Sequence, residues 1–430
     1  MDGPNKNAQK VSNAESGQVP QDQGETQKHV RTDKVSEPAL APKQALDPKQ
    51  ALDPKQVQDP KQAEAPKQAQ DHAPGAKQGQ KPRQKHTHKQ GQRGAREQKV
   101  FGALDLGTNN CRLLIAHPTR RSFRVIGAFS RIIRLGEGIS RNGAFSDAAM
   151  DRTIEALKIC SEKMIRYNVT SSRLVATEAC RVARNSDEFI DRVRLETGLR
   201  LDVINQETEA RLAVSGCASL LDRKSDGAIV FDIGGGSSEL IWLDLRNAQG
   251  RWRRTIHDRI EAQRYIRAWT SLPLGVVTLA EKFGGEIVNG EVYEDMVQYV
   301  LSKLAPFEEL HNIGKVVANT NMHLLGTSGT VTTVAGVHLC LSSYQRHRVD
   351  GLWMNSKNVS NISDRLATMS YEERVAQPCI GEERADLVLA GCAILEALIR
   401  LWPCERLRVA DRGLREGILA GLMVDALDNE

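Results

Sequence analysis

The chain has 430 residues, with 59 Lys and Arg against 54 Asp and Glu, a formal charge of +5, and only 4% aromatic residues. The charge is unevenly placed. Residues 1–100 hold 14 Lys and 4 Arg against 7 Asp and 5 Glu, so the rest is close to neutral, which excludes a globular part that binds nucleic acid by bulk charge. No apolar run approaches a membrane span, and the first 30 residues lack the apolar core of a signal peptide, so a cytoplasmic location without membrane contact is expected.

Residues 1–99 read as a disordered low-complexity tail. They contain no Phe, Trp or Tyr, and Pro-Lys-Gln recurs every six residues from Pro42 to Pro66. Such a segment buries too little apolar surface to offset its ordering entropy. The stretch around Arg83, Lys85, His86, His88, Arg93 and Arg96 is where a polyanion would be attracted, so nucleic-acid contact is expected only through this tail. A solubilising extension without a partner is the bland alternative. The eight cysteines show no CxxC spacing and mostly sit in apolar surroundings, as free thiols do in a reducing compartment.

Beyond the tail the chain alternates strands and amphipathic helices, an α/β pattern with room for two domains, 100–225 and 226–430. Gly102–Ile115 reads as a hairpin whose first strand ends in Asp105 and whose turn holds Gly107, Thr108 and Asn109, with Arg112 on the return strand. Phe123–Arg134 follows as a strand region. Asp147–Tyr167 has helical periodicity, with Ile154, Leu157, Cys160, Met164 and Ile165 on one face. Strand 173–177 leads into Thr177 and Arg181 at a helix start, where backbone donors and a guanidinium grip an anion; a surface ion pair is the alternative for Arg181. Strand 201–204 leads into a helix opened by Glu207 and Glu209, which by spacing alone are ordinary dipole partners.

The most specific segment is Val230–Leu240. An apolar strand ends in Asp232, three glycines (Gly234, Gly235, Gly236) follow, then Ser237, Ser238 and Glu239 open a second strand. Glycines leave backbone N–H groups uncovered for phosphate oxygens, and the flanking carboxylates suit a hydrated Mg²⁺ or an attacking water. This unit aligns without a gap on the first hairpin, Asp105 on Asp232 and Gly107 on Gly234, with Arg112 where the second copy has Glu239. The repeat implies two related halves with a cleft between them and a division of labour, one copy gripping phosphate and the other serving metal or water. Helices are expected at 276–283 and 291–310. A strand at 324–325 then reaches Gly326–Thr330, whose Ser328, Gly329 and Thr330 form a second anion nest. A long helix over 384–402 and a strand at 407–410 lead to Asp411 and Glu416, for which a structural role is expected, and the closing helix.

Taken in order, these loops make the chain resemble the exopolyphosphatase/guanosine pentaphosphate phosphohydrolase (Ppx/GppA) family, within the superfamily of actin, sugar kinases and Hsp70-like proteins. The matching segments are Asp105–Asn109, Ala176–Arg181 with Asn185, Glu207–Leu212, Asp232–Glu239 and Gly326–Thr330. The resemblance implies two tandem actin-like (ribonuclease H-like) α/β domains. It also implies Mg²⁺-dependent hydrolysis of the terminal phosphoanhydride of polyphosphate or the 5′ γ-phosphate of guanosine pentaphosphate. The family's glutamate before its Ala-Arg-Leu run activates the water, and that position is Glu209. Asp232 and Glu239 match the family's other catalytic acids and, with Asp105, its metal-binding carboxylates. Dimers are common in the family, so a homodimer is expected.

Two departures stand out. The family's first loop usually reads Asp-x-Gly-Ser-Asn-Ser, where this chain has Thr108, Asn110 and Cys111. The chain ends soon after the second half, without the extra helical domains that longer relatives use to hold long polyphosphate. Two other readings stand beside hydrolysis: a non-catalytic sensor of guanosine tetra- or pentaphosphate, and a sugar-kinase-like phosphotransferase, for which only about 125 residues separate the hairpins.

Overall fold

A computed structural model describes residues 99–248 and 255–428; residues 1–98 of the tail expected to be disordered lie outside them. In the first half, β1 (Phe101–Leu106), β2 (Asn110–Pro118) and β3 (Phe123–Ile132) form an antiparallel meander. β4 (Ser171–Ala176) and β5 (Asp202–Val203) then add in parallel, giving the order β3-β2-β1-β4-β5.

The second half repeats this plan. β6 (Gly227–Ile233), β7 (Ser238–Asp244) and β8 (Ile266–Leu272) form the meander, and β9 (Met322–Thr327) joins β6 in parallel. After the short β10 (Trp353–Asn355), β11 (Arg406–Ala410) lies parallel to β9, and the order is β10-β11-β9-β6-β7-β8. This is the expected actin-like plan, present twice. β1 and β6 are apolar runs buried along their length, as central strands covered on both faces must be. Within each, the residue that is not fully buried is the aspartate near its carboxyl end, Asp105 or Asp232.

The helices do not stay with the strands they follow. Helix Gln206–Cys217 follows β5, yet Ala210, Val214 and Cys217 pack on Ala228, Val230 and Ile241 of the second sheet. Helix Leu414–Asp428 follows β11, yet Leu414, Ile418, Leu419 and Met423 pack on Phe101, Ala103, Leu114 and Val175 of the first. The two exchanged helices cross each other closely. A Cβ on Gly216 would lie 1.8 Å from the Gly413 carbonyl oxygen, and one on Gly417 would lie 2.0 Å from that of Leu212. Only glycine permits this approach.

Helix Asp147–Arg166 buries Ile154, Leu157 and Cys160 as expected, but Ile165 is 73% exposed. The single helix expected over 384–402 is instead a short turn, Glu382–Ala385, and a helix, Val388–Leu401. In the break, Asp386 accepts two hydrogen bonds from Arg134 of the first half, at 2.9 and 3.3 Å. With the Gly138 N–H donating to Glu281 at 2.8 Å, these contacts tie the halves together beside the cleft. Cys340 is exposed and the other seven cysteines are buried, all as free thiols. Among the described residues, no helix is long and apolar enough to cross a membrane.

Candidate active site

The repeat seen in the sequence holds at the level of single hydrogen bonds. The Gly107 N–H donates to the Asn110 carbonyl at 2.9 Å, and the Gly234 N–H donates to the Ser237 carbonyl at the same distance. Across the rungs, Asp105 stands opposite Arg112 and Asp232 opposite Glu239. The two turns abut: a Cβ on Gly235 would lie 3.0 Å from the Thr108 Cβ, and one on Gly236 would lie 2.8 Å from the Thr108 Oγ1. The third loop leaves β9, with the Ser328 hydroxyl accepting from the Val331 N–H at 3.1 Å to cap helix Gly329–His338.

These loops line one cleft together with Asp105, Arg112, Thr177, Glu209, Asp232 and Glu239. The glycine turn is held from behind. Its Gly234 and Gly235 carbonyls accept from the Val276 and Val277 N–H groups, at 3.0 and 2.9 Å, at the start of helix Val276–Phe283. Among the described residues, the N–H groups of Gly235, Gly236, Thr108 and Asn109 find no acceptor. Unpaired backbone donors at a cleft wall form an anion cradle.

Four carboxylates face this cradle, and burial dominates their chemistry. It pushes Asp232 up to about 7, helped by Glu209 and Asp105 and opposed by Arg112 and Arg415. Glu239 also rises to about 7, through burial and then Asp232. The Ser237 and Ser271 hydroxyls oppose that rise, donating to the same Oε1 of Glu239 at 2.7 and 2.9 Å. Asp105 is raised by burial. Glu209 is held well above the usual carboxylate range by burial and then by Glu239, although Arg181 donates to its Oε2 at 2.8 Å. Its other oxygen has no hydrogen-bond partner among the described residues. Carboxylates crowded without enough counter-charge call for a cation or protons.

Oxygen donors of this kind suit Mg²⁺, but no three acidic, His or Cys residues among the described ones stand ready as a ligand cage. The two facts agree for this ion. Mg²⁺ keeps several waters and is ordinarily held by one or two carboxylates plus substrate phosphate oxygens. Asp232 and Glu239, facing each other across one rung, are the pair that fits.

Residues 114–426 match the Ppx/GppA phosphatase family. The chain belongs to that family. A bifunctional 3-dehydroquinate synthase/phosphatase of Fusobacterium nucleatum is 28% identical over 340 residues, 74% of this chain and 46% of that protein. The chain therefore spans less than half the length of that curated relative. A solved Ppx/GppA family member from Aquifex aeolicus is 27% identical, with 76% of this chain and 98% of that one covered at a TM-score of 0.60. An exopolyphosphatase from Cytophaga hutchinsonii shares the fold at 23% identity and a TM-score of 0.65, with 76% of this chain and 98% of that one covered.

The Ppx/GppA match begins after the first turn, so the placing of Asp105, Gly107, Thr108, Asn109 and Arg112 rests on the repeat geometry. Two expected phosphate ligands do not line the cleft. The Arg181 guanidinium lies between Glu178, at 2.9 Å, and Glu209, and also donates to the Ile204 carbonyl at 2.9 Å. The Ser238 hydroxyl is buried and donates to the Leu274 carbonyl at 2.9 Å. Glu178, Arg384, Ser271 and Gly275 belong to the site or its support and were not singled out by sequence. Glu178 and Arg384 line the cleft, and a Cβ on Gly275 would lie 2.5 Å from the Gly234 carbonyl oxygen. The Ser-Leu-Pro-Leu-Gly run at 271–275 was the only available signal for the last two, and it carries no chemistry by spacing.

Proposed function

We propose that the chain hydrolyses the terminal phosphoanhydride of inorganic polyphosphate or the 5′ γ-phosphate of guanosine pentaphosphate. The observation that carries this reading is the opposition of four largely buried carboxylates to loops in which the N–H groups of Thr108, Asn109, Gly235 and Gly236 have no acceptor among the described residues. The loops bind and orient the terminal phosphate, and Arg112 shares its charge; positioning and neutralisation supply most of the catalysis of phosphoryl transfer. Glu209, with one oxygen fixed by Arg181 and one unengaged, orients the water and takes its proton. Asp232 and Glu239 are the residues to hold Mg²⁺, with Asp105 beside them. Mg²⁺ held there would supply neutralisation of the charge on the transferring phosphate.

The test is orthophosphate release from polyphosphates of several lengths, guanosine pentaphosphate and ATP, with and without Mg²⁺. Glu209→Gln is expected to lower turnover by about 10²–10⁴-fold with the fold intact. Wild-type turnover in Glu209→Gln overturns the base assignment. Release from none of the substrates, with tight binding of guanosine tetraphosphate, would make the chain a sensor instead.

A further inference from the structure

A second pocket lies outside the cleft and shares none of its lining residues. It is walled by the turn at Arg121 and Ser122, the connector 218–224 between the halves, the short helix Ile256–Glu261, and Trp353 and Arg408 at the edge of the second sheet. Its charges do not cancel. Asp222 is committed to Arg406 at 3.1 Å, and Asp258 accepts the Thr255 N–H at 2.8 Å to cap its helix. Arg259 is only 9% exposed and has no carboxylate partner among the described residues. It lies over the Phe123 ring, with long hydrogen bonds of 3.5 Å to the Gly216 carbonyl and 3.3 Å to the Ser122 hydroxyl. Arg408, over Trp353 at 4.7 Å, has a buried Nε without a partner.

A buried guanidinium without a counter-charge is costly, and removing its charge should not harm the fold unless something anionic joins it. We propose that this pocket is a second anion site, separate from the cleft, where Arg259 and Arg408 grip a phosphate group. Guanidiniums are suited to this, since their donors match phosphate oxygens in pairs. The placement gives the site a means of acting on the cleft. The Gly216 carbonyl that Arg259 touches lies at the crossing of the exchanged helices, and the Gly216 helix carries Glu209 in its first turn. The site is therefore an effector site for free phosphate or for a phosphate carried by a nucleoside.

The test needs no turnover, so it stands apart from the proposed hydrolysis. The full chain is titrated with orthophosphate and with adenosine 5′-monophosphate, and the Trp353-dependent fluorescence is taken as the difference from Trp353→Phe. A saturable change is expected with at least one probe, weakened about tenfold or more in Arg259→Gln by loss of a charge-assisted contact. Ligand-free Arg259→Gln is expected to melt at or above the wild-type temperature. The tighter probe tells free phosphate from a nucleotide. No Trp353-dependent change with either probe, or one that Arg259→Gln leaves intact, overturns the site. A large loss of ligand-free stability makes Arg259 structural and overturns its role. Arg408→Gln, from the pocket rim, is then expected to show the same loss of binding, and its failure to do so overturns the pocket as a whole.

Discussion

The Arg181 guanidinium donates to Glu209 Oε2 at 2.8 Å while its other edge is held by Glu178 at 2.9 Å. The residue expected to grip phosphate thus positions the expected base. It also opposes the burial that raises Glu209 above the usual carboxylate range.

Arg181→Met should therefore move the acidic limb of the kcat/KM profile to higher pH. Losing Arg181 raises Glu209 further, so less of it is ionised at neutral pH, and activity there should fall about tenfold or more. Raising the pH should recover part of the loss. A profile with an unmoved limb and only a higher KM would return Arg181 to phosphate binding.

Ser271→Ala removes one of two hydroxyls on Glu239 Oε1 and should raise that carboxyl above its present value of about 7. At neutral pH the apparent Mg²⁺ affinity, read from activity against metal concentration, should fall about tenfold, as for outer-shell partners of metal ligands. Alkaline pH should restore it. An unchanged metal dependence would leave Ser271 a packing residue.

Metal-free stability should fall as pH rises. Asp232 and Glu239 sit at about 7 in the folded state, above ordinary unfolded values near 4, so the folded chain binds more protons in that window. Their stabilisation is complete below about pH 4 and is lost as pH passes through about 7, each tenfold difference in proton affinity being about 1.4 kcal/mol. Urea unfolding from pH 4.5 to 8 checks this, and Asp232→Asn should flatten the decline. Mg²⁺ should flatten it as well; a decline unmoved by Mg²⁺ would remove these carboxylates as its site.

Two glycine substitutions should part stability from activity. Gly216→Ala sets a Cβ 1.8 Å from the Gly413 carbonyl oxygen and should destabilise by about 3 kcal/mol or more, read as a lowered Tm. Gly235→Ala meets the Thr108 Cβ at 3.0 Å and the Asn109 backbone nitrogen at 3.2 Å, an overlap that a small shift of the facing turn can relieve. It should fold normally and lose about 10²-fold in kcat/KM, since it pushes the abutting turns apart. Equal loss of stability in both would show that the turns are structural.

Asp232 and the glycine triplet were legible because a hairpin fixes which residues face each other, so the seven-residue spacing from Asp232 to Glu239 became one rung. Asp105 and Arg112 followed by the same rule. Glu209 was not legible from chemistry alone: a first-turn glutamate is ordinary, and only the family resemblance raised it. The tie from Arg181 to Glu209 was not legible because the two lie 28 residues apart across a strand and a loop, beyond any local pattern. Ser271 and Gly275 act by reaching β7 and the glycine turn from the end of β8, a pairing that no local periodicity announces.

The exchanged helices also bear on how the chain comes to fold. N-terminal domains commonly fold first during synthesis. Here the face of the first sheet formed by Phe101, Ala103, Leu114 and Val175 is covered by residues 414–428. That sheet, begun before the second, is finished after it: its apolar face waits, uncovered by its own helix, until residues 414–428 have left the ribosome. Fragments cut at the connector would each keep the other's helix, so neither should fold alone, and the two together should recover the fold by trading helices back.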